Sequence, residues 1–313
     1  MMDIIKVKPL FRENIWGGER LKTEFGYEIP SKTTGECWGV SAHASGDCSL
    51  EAPYEGKTLS SLWKDNPELF GRTEAPTYDF PLLMKIIDAK SDLSIQVHPN
   101  DEYARSKEHC PYGKTECWYV LDALPGSTLV VGHNAATREE LASMIENDEW
   151  KELIREVPVK AGDFIQIDPG TVHAIKGGIL LYEAQQSSDI TYRLYDYGRL
   201  WNGKPRELHI DKSIDVITVP AKDSSEAVVS AANLPANCLN NLITCDYYKV
   251  WKINVSGNGF SFCLPSSFLI ISVISGEGFI GTTPVSKGDH FIIPSGYGTV
   301  ALSGDMELIA TAE

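Results

Sequence analysis

The chain has 313 residues, enough for two small domains or one two-lobed body. It is 42% hydrophobic and 23% charged, as globular proteins are. A net charge of -15 argues against nucleic acid or an anionic membrane as partner. An anionic substrate would need local cations to hold it against that field.

The N-terminus, Met1-Met2-Asp3-Ile4-Ile5-Lys6, lacks a basic region followed by a long apolar stretch, so no signal peptide is expected. Residues 57–64 read as a helix with Leu59, Leu62 and Trp63 on one face. The apolar run over 80–87 reads as a buried strand, and further strands are expected over 93–97, 117–122 and 128–131. Thr137-Arg138-Glu139-Glu140 has the form of a capping box. It opens a helical insertion over 137–157, with Leu141, Met144 and Ile145 at helical spacing and Leu153, Ile154 and Val157 after them. We expect it to be a packing element rather than a flap over a pocket. Strands follow over 164–167 and 179–183. Many short strands separated by Gly, Pro and Asp turns predict a mainly β sandwich or barrel. The seven cysteines are odd in number and scattered, with no Cys-x-x-Cys, which fits reduced thiols and a cytoplasmic location.

The chemistry-bearing residues cluster in three strand-like segments. Gln96 and His98 are two apart in Ser94-Ile95-Gln96-Val97-His98-Pro99-Asn100-Asp101, so on a strand both face one side. Glu116 opens Glu116-Cys117-Trp118-Tyr119-Val120-Leu121, and His173 ends Pro169-Gly170-Thr171-Val172-His173. Together they offer a divalent metal two nitrogens and two oxygens, a set that suits zinc with a position open to substrate. By spacing alone, ordinary hydrogen-bonded histidines fit as well. The remaining histidines, His43, His109, His133, His209 and His290, have no motif around them and read as solvent-facing or satisfied in the core. Cys117 should face away from Glu116, into the core.

The order of these motifs, with Lys114-Thr115-Glu116 and Tyr192-Arg193-Leu194-Tyr195-Asp196-Tyr197, resembles the type I mannose-6-phosphate isomerases, in their short bacterial form. These are zinc enzymes of the cupin superfamily. The resemblance runs in order from Trp16 to Arg193. It implies one Zn2+ per chain on Gln96, His98, Glu116 and His173. It further implies interconversion of mannose 6-phosphate and fructose 6-phosphate, through an enediolate stabilised by the dication. Arg193 falls on the position of a catalytic arginine, whose work is electrostatic because arginine does not give up its proton. Lys114 and Glu183 are candidate acid–base groups. Trp16, Glu36, Lys85 and Ser94 fall on positions near substrate, and either lysine could hold the phosphate. Taken singly, Arg193 could instead pair with Asp189 or Asp196, and Lys85 with Asp88 or Asp92.

A faint repeat joins the two halves. Val159-Lys160-Ala161-Gly162-Asp163-Phe164 matches Val285-Ser286-Lys287-Gly288-Asp289-His290, each entering a strand that ends near a Pro-Gly-type turn. This predicts two tandem cupin-like jelly-roll units. The first, catalytic and metal-binding, spans 1–215, with the helical insertion around 137–157. The second, degenerate unit spans 235–313. A linker-like stretch between them carries Pro220, Ala221, Lys222, Asp223, Ser224 and Ser225. The His173 position of the second copy is Gly298, so only the first unit should bind metal. Two other readings share the scaffold, an Fe(II) cupin oxygenase and a non-catalytic sugar-binding cupin. Four protein ligands including Gln96 argue against the first, and the intact ligand set with Lys114 and Arg193 argues against the second. The expected partner is a small phosphosugar, and nothing in the sequence sets an oligomeric state.

Overall fold

The computed structural model describes residues 3–224, 227–264 and 267–313. Ser225 of the linker-like stretch and the first two methionines lie outside them. The fold is mainly β, as its patterning predicts. Three sheets of nine, seven and five strands carry it, with two short ribbons beside them. None of the three closes into a barrel.

The seven-stranded sheet runs, in spatial order, through Val228–Ser230, Asp163–Ile167, Glu116–Ala123, Ile179–Gln186, Leu82–Ala89, Thr34–Val40 and Leu10–Gly18. Its central strands are covered on both faces. Met84, Ile86, Cys117, Tyr119, Tyr182 and Ala184 face one core, shared with Ile270, Ile292 and Ile309 of the nine-stranded sheet. Ile87, Trp118, Val120, Ile179 and Leu181 face another, shared with Leu129, Val131 and Ile175 of the five-stranded sheet. Burial on both sides is why these strands read as unbroken apolar runs rather than alternating ones. Cys117 faces the first core, as strand alternation requires, and its neighbours Glu116 and Trp118 point the other way.

The five-stranded sheet orders Ile154–Pro158, Thr128–His133, His173–Ile175, Ile95–Val97 and Tyr192–Tyr195. The helices Arg138–Glu146 and Trp150–Leu153 cover its outer face, where Leu141, Ile145 and Leu153 pack on Ile95, Val97, Val130, Ala174 and Leu194. The insertion is thus a packing element. It is shorter than expected, because Ile154–Pro158 is a strand paired to Thr128–His133. The Leu153, Ile154 and Val157 spacing suits a helix, but two β-branched residues before a proline favour extended backbone. Thr137 caps the first helix by accepting from the Glu140 amide at 3.2 Å, while the Glu140 side chain accepts from the amide of Ala136 rather than that of Thr137. The earlier helix, Leu59–Asp65, buries Leu59, Leu62 and Trp63 as its pattern predicts.

The repeat is visible in backbone geometry. Gly162 and Gly288 both take positive φ, 87° and 94°. Asp163 accepts from the Lys160 amide and Asp289 from the Ser286 amide, each at 2.9 Å. The two halves also interlock. Ile5–Lys8 pairs with His290–Ile293, and Ser49–Leu50 pairs with Ile5–Lys8, so N-terminal strands extend the nine-stranded sheet. The expected 1–215 and 235–313 units therefore share one sheet. Among the described residues, no helix is long and apolar enough to cross a membrane, and the seven cysteines are unpaired.

Candidate active site

The seven- and five-stranded sheets face each other, and a cleft opens where their strands part. Glu116, Glu183 and Lys85 come from the first sheet, and Gln96, His173 and Arg193 from the second. His98 follows the strand Ile95–Val97. Cross-strand registry does the assembly: His173 and Arg193 flank Gln96 on either side, and Glu183 lies opposite Lys85. The cleft is also lined by Trp16, Glu36, Ser94 and Lys114.

Buried behind the cleft-lining Gln96 and Lys114, His98 Nε2 and His173 Nε2 lie 3.1 Å apart. Glu116 stands 3.5 Å from each, through Oε2 to His98 and Oε1 to His173. The Gln96 amide is 3.2 Å from His173 Nε2. His98 Nδ1 contacts the Ile190 carbonyl and His173 Nδ1 the Thr171 carbonyl, both at 2.8 Å. A carbonyl only accepts, so both imidazoles carry their proton on Nδ1 and turn bare Nε2 lone pairs toward one another. Oε1 of the fully buried Glu116 receives no hydrogen bond, while Oε2 is met by the Lys114 ammonium. Converging lone pairs around a buried carboxylate are a donor set that fits a divalent cation, and His98, Glu116 and His173 are close enough to share one. Gln96 joins them once its amide is turned so that the oxygen faces inward.

Protonation states agree with that fit. Burial, helped by the Lys114 ammonium, pushes His98 down to about 3, and burial also lowers His173. Both rings are neutral at physiological pH. Burial opposes ionisation of Glu116, but the Lys114 ammonium outweighs it and holds the carboxyl well below the usual range. Lys114 Nζ sits 2.6 Å from Glu116 and 3.1 Å from His98. It gets there from the segment before the strand, which begins only at Glu116.

One wall carries the second charged group. Lys85, 7% exposed, lies 3.2 Å from Glu183 and 3.8 Å from Glu36, not beside Asp88 or Asp92. Burial works against its charge, yet Glu183 and Glu36 raise its pKa. Burial and then the Glu116 charge raise Glu183, which accepts from Trp118 Nε1 at 2.8 Å. Glu36 accepts from Trp38 Nε1 at 2.6 Å.

Arg193 is free of both carboxylates named for it. Asp189 accepts from Ser45, and Asp196 holds Arg199 and Arg206 instead. Burial, then the neighbouring charge of Arg206, lowers the Arg193 pKa. Its Nε is buried without a partner.

Two family models match the chain. Residues 4–122 fit the catalytic domain of type I phosphomannose isomerase, and residues 239–312 the cupin domain of mannose-6-phosphate isomerase. The mannose-6-phosphate isomerase ManA of Bacillus subtilis is 49% identical over 310 residues, 97% of each chain. The chain belongs to the type I phosphomannose isomerase family. A Streptococcus mutans mannose-6-phosphate isomerase is 42% identical, over 97% of this chain and 98% of its own. The crystal structure of a Bacillus subtilis mannose 6-phosphate isomerase superposes with a TM-score of 0.92 at 40% identity, covering all of both chains. A putative mannosephosphate isomerase from Archaeoglobus fulgidus, 18% identical, shares the fold with a TM-score of 0.78 over 99% of this chain and 97% of its own.

The cleft of this isomerase also holds Asn14, Thr191 and Arg206, which sequence reasoning passed over. Thr191 was within reach, being two before Arg193 on an extended segment. Arg206 had no such signal, because a ribbon pairing Leu200–Trp201 with Lys204–Pro205 separates it from Arg193.

Proposed function

We propose that this isomerase interconverts mannose 6-phosphate and fructose 6-phosphate through an enediolate, in the cytoplasm, with one zinc held by Gln96, His98, Glu116 and His173. The observation that carries the metal assignment is the pair of bare Nε2 atoms 3.1 Å apart beside Glu116. When bound, the metal supplies Lewis-acid stabilisation of negative charge on the sugar oxygens.

The protein groups divide the remaining work. Glu183 and Lys85 are 3.2 Å apart at the cleft wall, with Glu183 biased toward its protonated form. That pair suits proton transfer between neighbouring sugar carbons, with Lys85 balancing the charge on Glu183. Lys114 keeps Glu116 ionised and reaches the same space. Arg193, unpaired, suits stabilisation of the enediolate oxygens. Charge balance bears on the phosphate. Two lysines, Lys85 and Lys114, face three carboxylates, Glu36, Glu116 and Glu183. At the other side Arg193 and Arg206 line the cleft, Arg206 paired with Asp196 and Arg193 with no carboxylate, while Arg199, the other partner of Asp196, stays outside it. The phosphate dianion therefore belongs near the arginines, and the lysines serve the proton transfer and the metal ligands. Trp16 and Ser94 complete the walls that contact the sugar.

A coupled assay on mannose 6-phosphate, with metal-depleted and zinc-reconstituted protein, tests the reading. Turnover restored by zinc supports it. Turnover that is equal with and without metal would overturn the metal assignment.

A further inference from the structure

Asp196 is 5% exposed and sits where the strand Tyr192–Tyr195 ends. Its carboxylate takes three charge-assisted hydrogen bonds. Arg206 Nε donates to Oδ2 at 2.8 Å and Arg206 Nη2 to Oδ1 at 2.5 Å, a two-point bracket. Arg199 Nη2 donates to the same Oδ1, also at 2.5 Å. Arg199 then runs on, with Nη1 donating to the Asp92 carbonyl at 2.5 Å, in the turn that leads to the strand bearing Gln96. Of the two guanidiniums only Arg206 lines the catalytic cleft. The bracket uses Nε and Nη2 of Arg206, so Asp196 leaves Nη1 of this cleft-lining residue unengaged.

We infer that Asp196 is a positioning residue: it locks the Arg206 guanidinium at the cleft wall beside Arg193, where Arg206 binds the anionic end of the substrate. This rests on the phosphosugar reading above. The physical reason is entropy and repulsion together. An arginine on a loop after a two-stranded ribbon has many rotamers, and fixing them on binding weakens affinity. Arg193 also repels it. A buried carboxylate that grips two of its nitrogens before substrate arrives removes both costs. Arg199 shares the carboxylate without reaching the cleft, so it serves as the internal control.

The experiment is steady-state kinetics on the zinc-loaded isomerase with mannose 6-phosphate, for the wild type, Asp196→Asn, Arg206→Ala, the double variant, Arg206→Lys and Arg199→Gln. Asp196→Asn should raise KM about tenfold, the effect of roughly one charge-assisted hydrogen bond, with kcat changed less than about threefold. In the Arg206→Ala background the same substitution should add less than about twofold, because its target is gone. Arg206→Lys keeps the charge but loses the two-point grip, and should show a similar rise in KM even if Asp196→Asn does not fold. Arg199→Gln should lower the melting temperature and leave KM near wild type. An Asp196→Asn effect that persists in full without Arg206, a normal KM in Arg206→Lys, or an equal KM rise in Arg199→Gln would each overturn the inference and make the bracket a purely structural contact. Absence of isomerase activity in the wild type would instead refute the phosphosugar reading itself.

Discussion

His290 should make the stability of the protein fall between neutral and mildly acidic pH. It is fully buried where the nine-stranded sheet meets the catalytic half. Tyr27 donates its hydroxyl to the Gly288 carbonyl at 2.7 Å, so its oxygen receives Nε2–H of His290 at 3.1 Å. Nδ1 lies 2.8 Å from the hydroxyl of Ser272 on the neighbouring strand, which also reaches the Tyr182 hydroxyl at 3.3 Å. Burial pushes His290 down to about 4, with the adjacent Asp289 offsetting a little. In the unfolded chain its pKa is about 6.5. The folded pKa is the lower one, so the unfolded state binds more protons between the two values. Stability is then present above about pH 6.5 and is lost as pH falls toward 4. Linkage puts the loss between pH 7 and pH 5 at about 2 kcal/mol. Urea unfolding at the two pH values, for wild type and His290→Gln, isolates the contribution of this ring, because the other buried histidines are common to both. The wild type should lose about 2 kcal/mol more than the variant. Equal losses in the two proteins would refute the argument. The packing is tight as well, since a Cβ at Gly39 would lie 2.3 Å from the ring.

Chelation should abolish turnover while far-UV circular dichroism stays native, because the four apolar cores hold the sheets without help from the metal site. Arg193→Ala should lower kcat by about two orders of magnitude with a smaller change in KM, and Arg193→Lys should restore little, since the planar fork is lost. A raised KM with unchanged kcat would assign Arg193 to ground-state binding instead. Lys85→Met removes the partner of the buried Glu183, and should cost about 3–5 kcal/mol at pH 8 by denaturant titration. The cost should be smaller near pH 5, where Glu183 gains a proton more readily. A cost independent of pH would mean that Glu183 is already neutral in the folded protein.

The catalytic half was legible because its chemistry is local. Gln96 with His98, and Lys114 with Glu116, are near neighbours in sequence, so locating one strand residue brings its partner with it, although His98 and Lys114 lie just outside the strands. What could not be read was pairing across long stretches of chain. Ile5–Lys8 looks like any short edge strand, and nothing in it points to His290–Ile293 as partner. The partners of Lys85 were sought among adjacent aspartates. They are instead Glu183 and Glu36, brought beside it by strands far apart in sequence. Arg206 was missed for the same reason, since its distance from Arg193 is set by a ribbon whose geometry lies in the fold. The segment 154–158 misled because a few apolar residues at helical spacing cannot be told from a short strand without the partner strand.

The central claim, one zinc held by Gln96, His98, Glu116 and His173, is tested most directly by metal analysis of purified protein, wild type beside the His98→Ala/His173→Ala double variant. The account predicts about one zinc per chain in the wild type and almost none in the variant. Zinc retained in full by the double variant would contradict it.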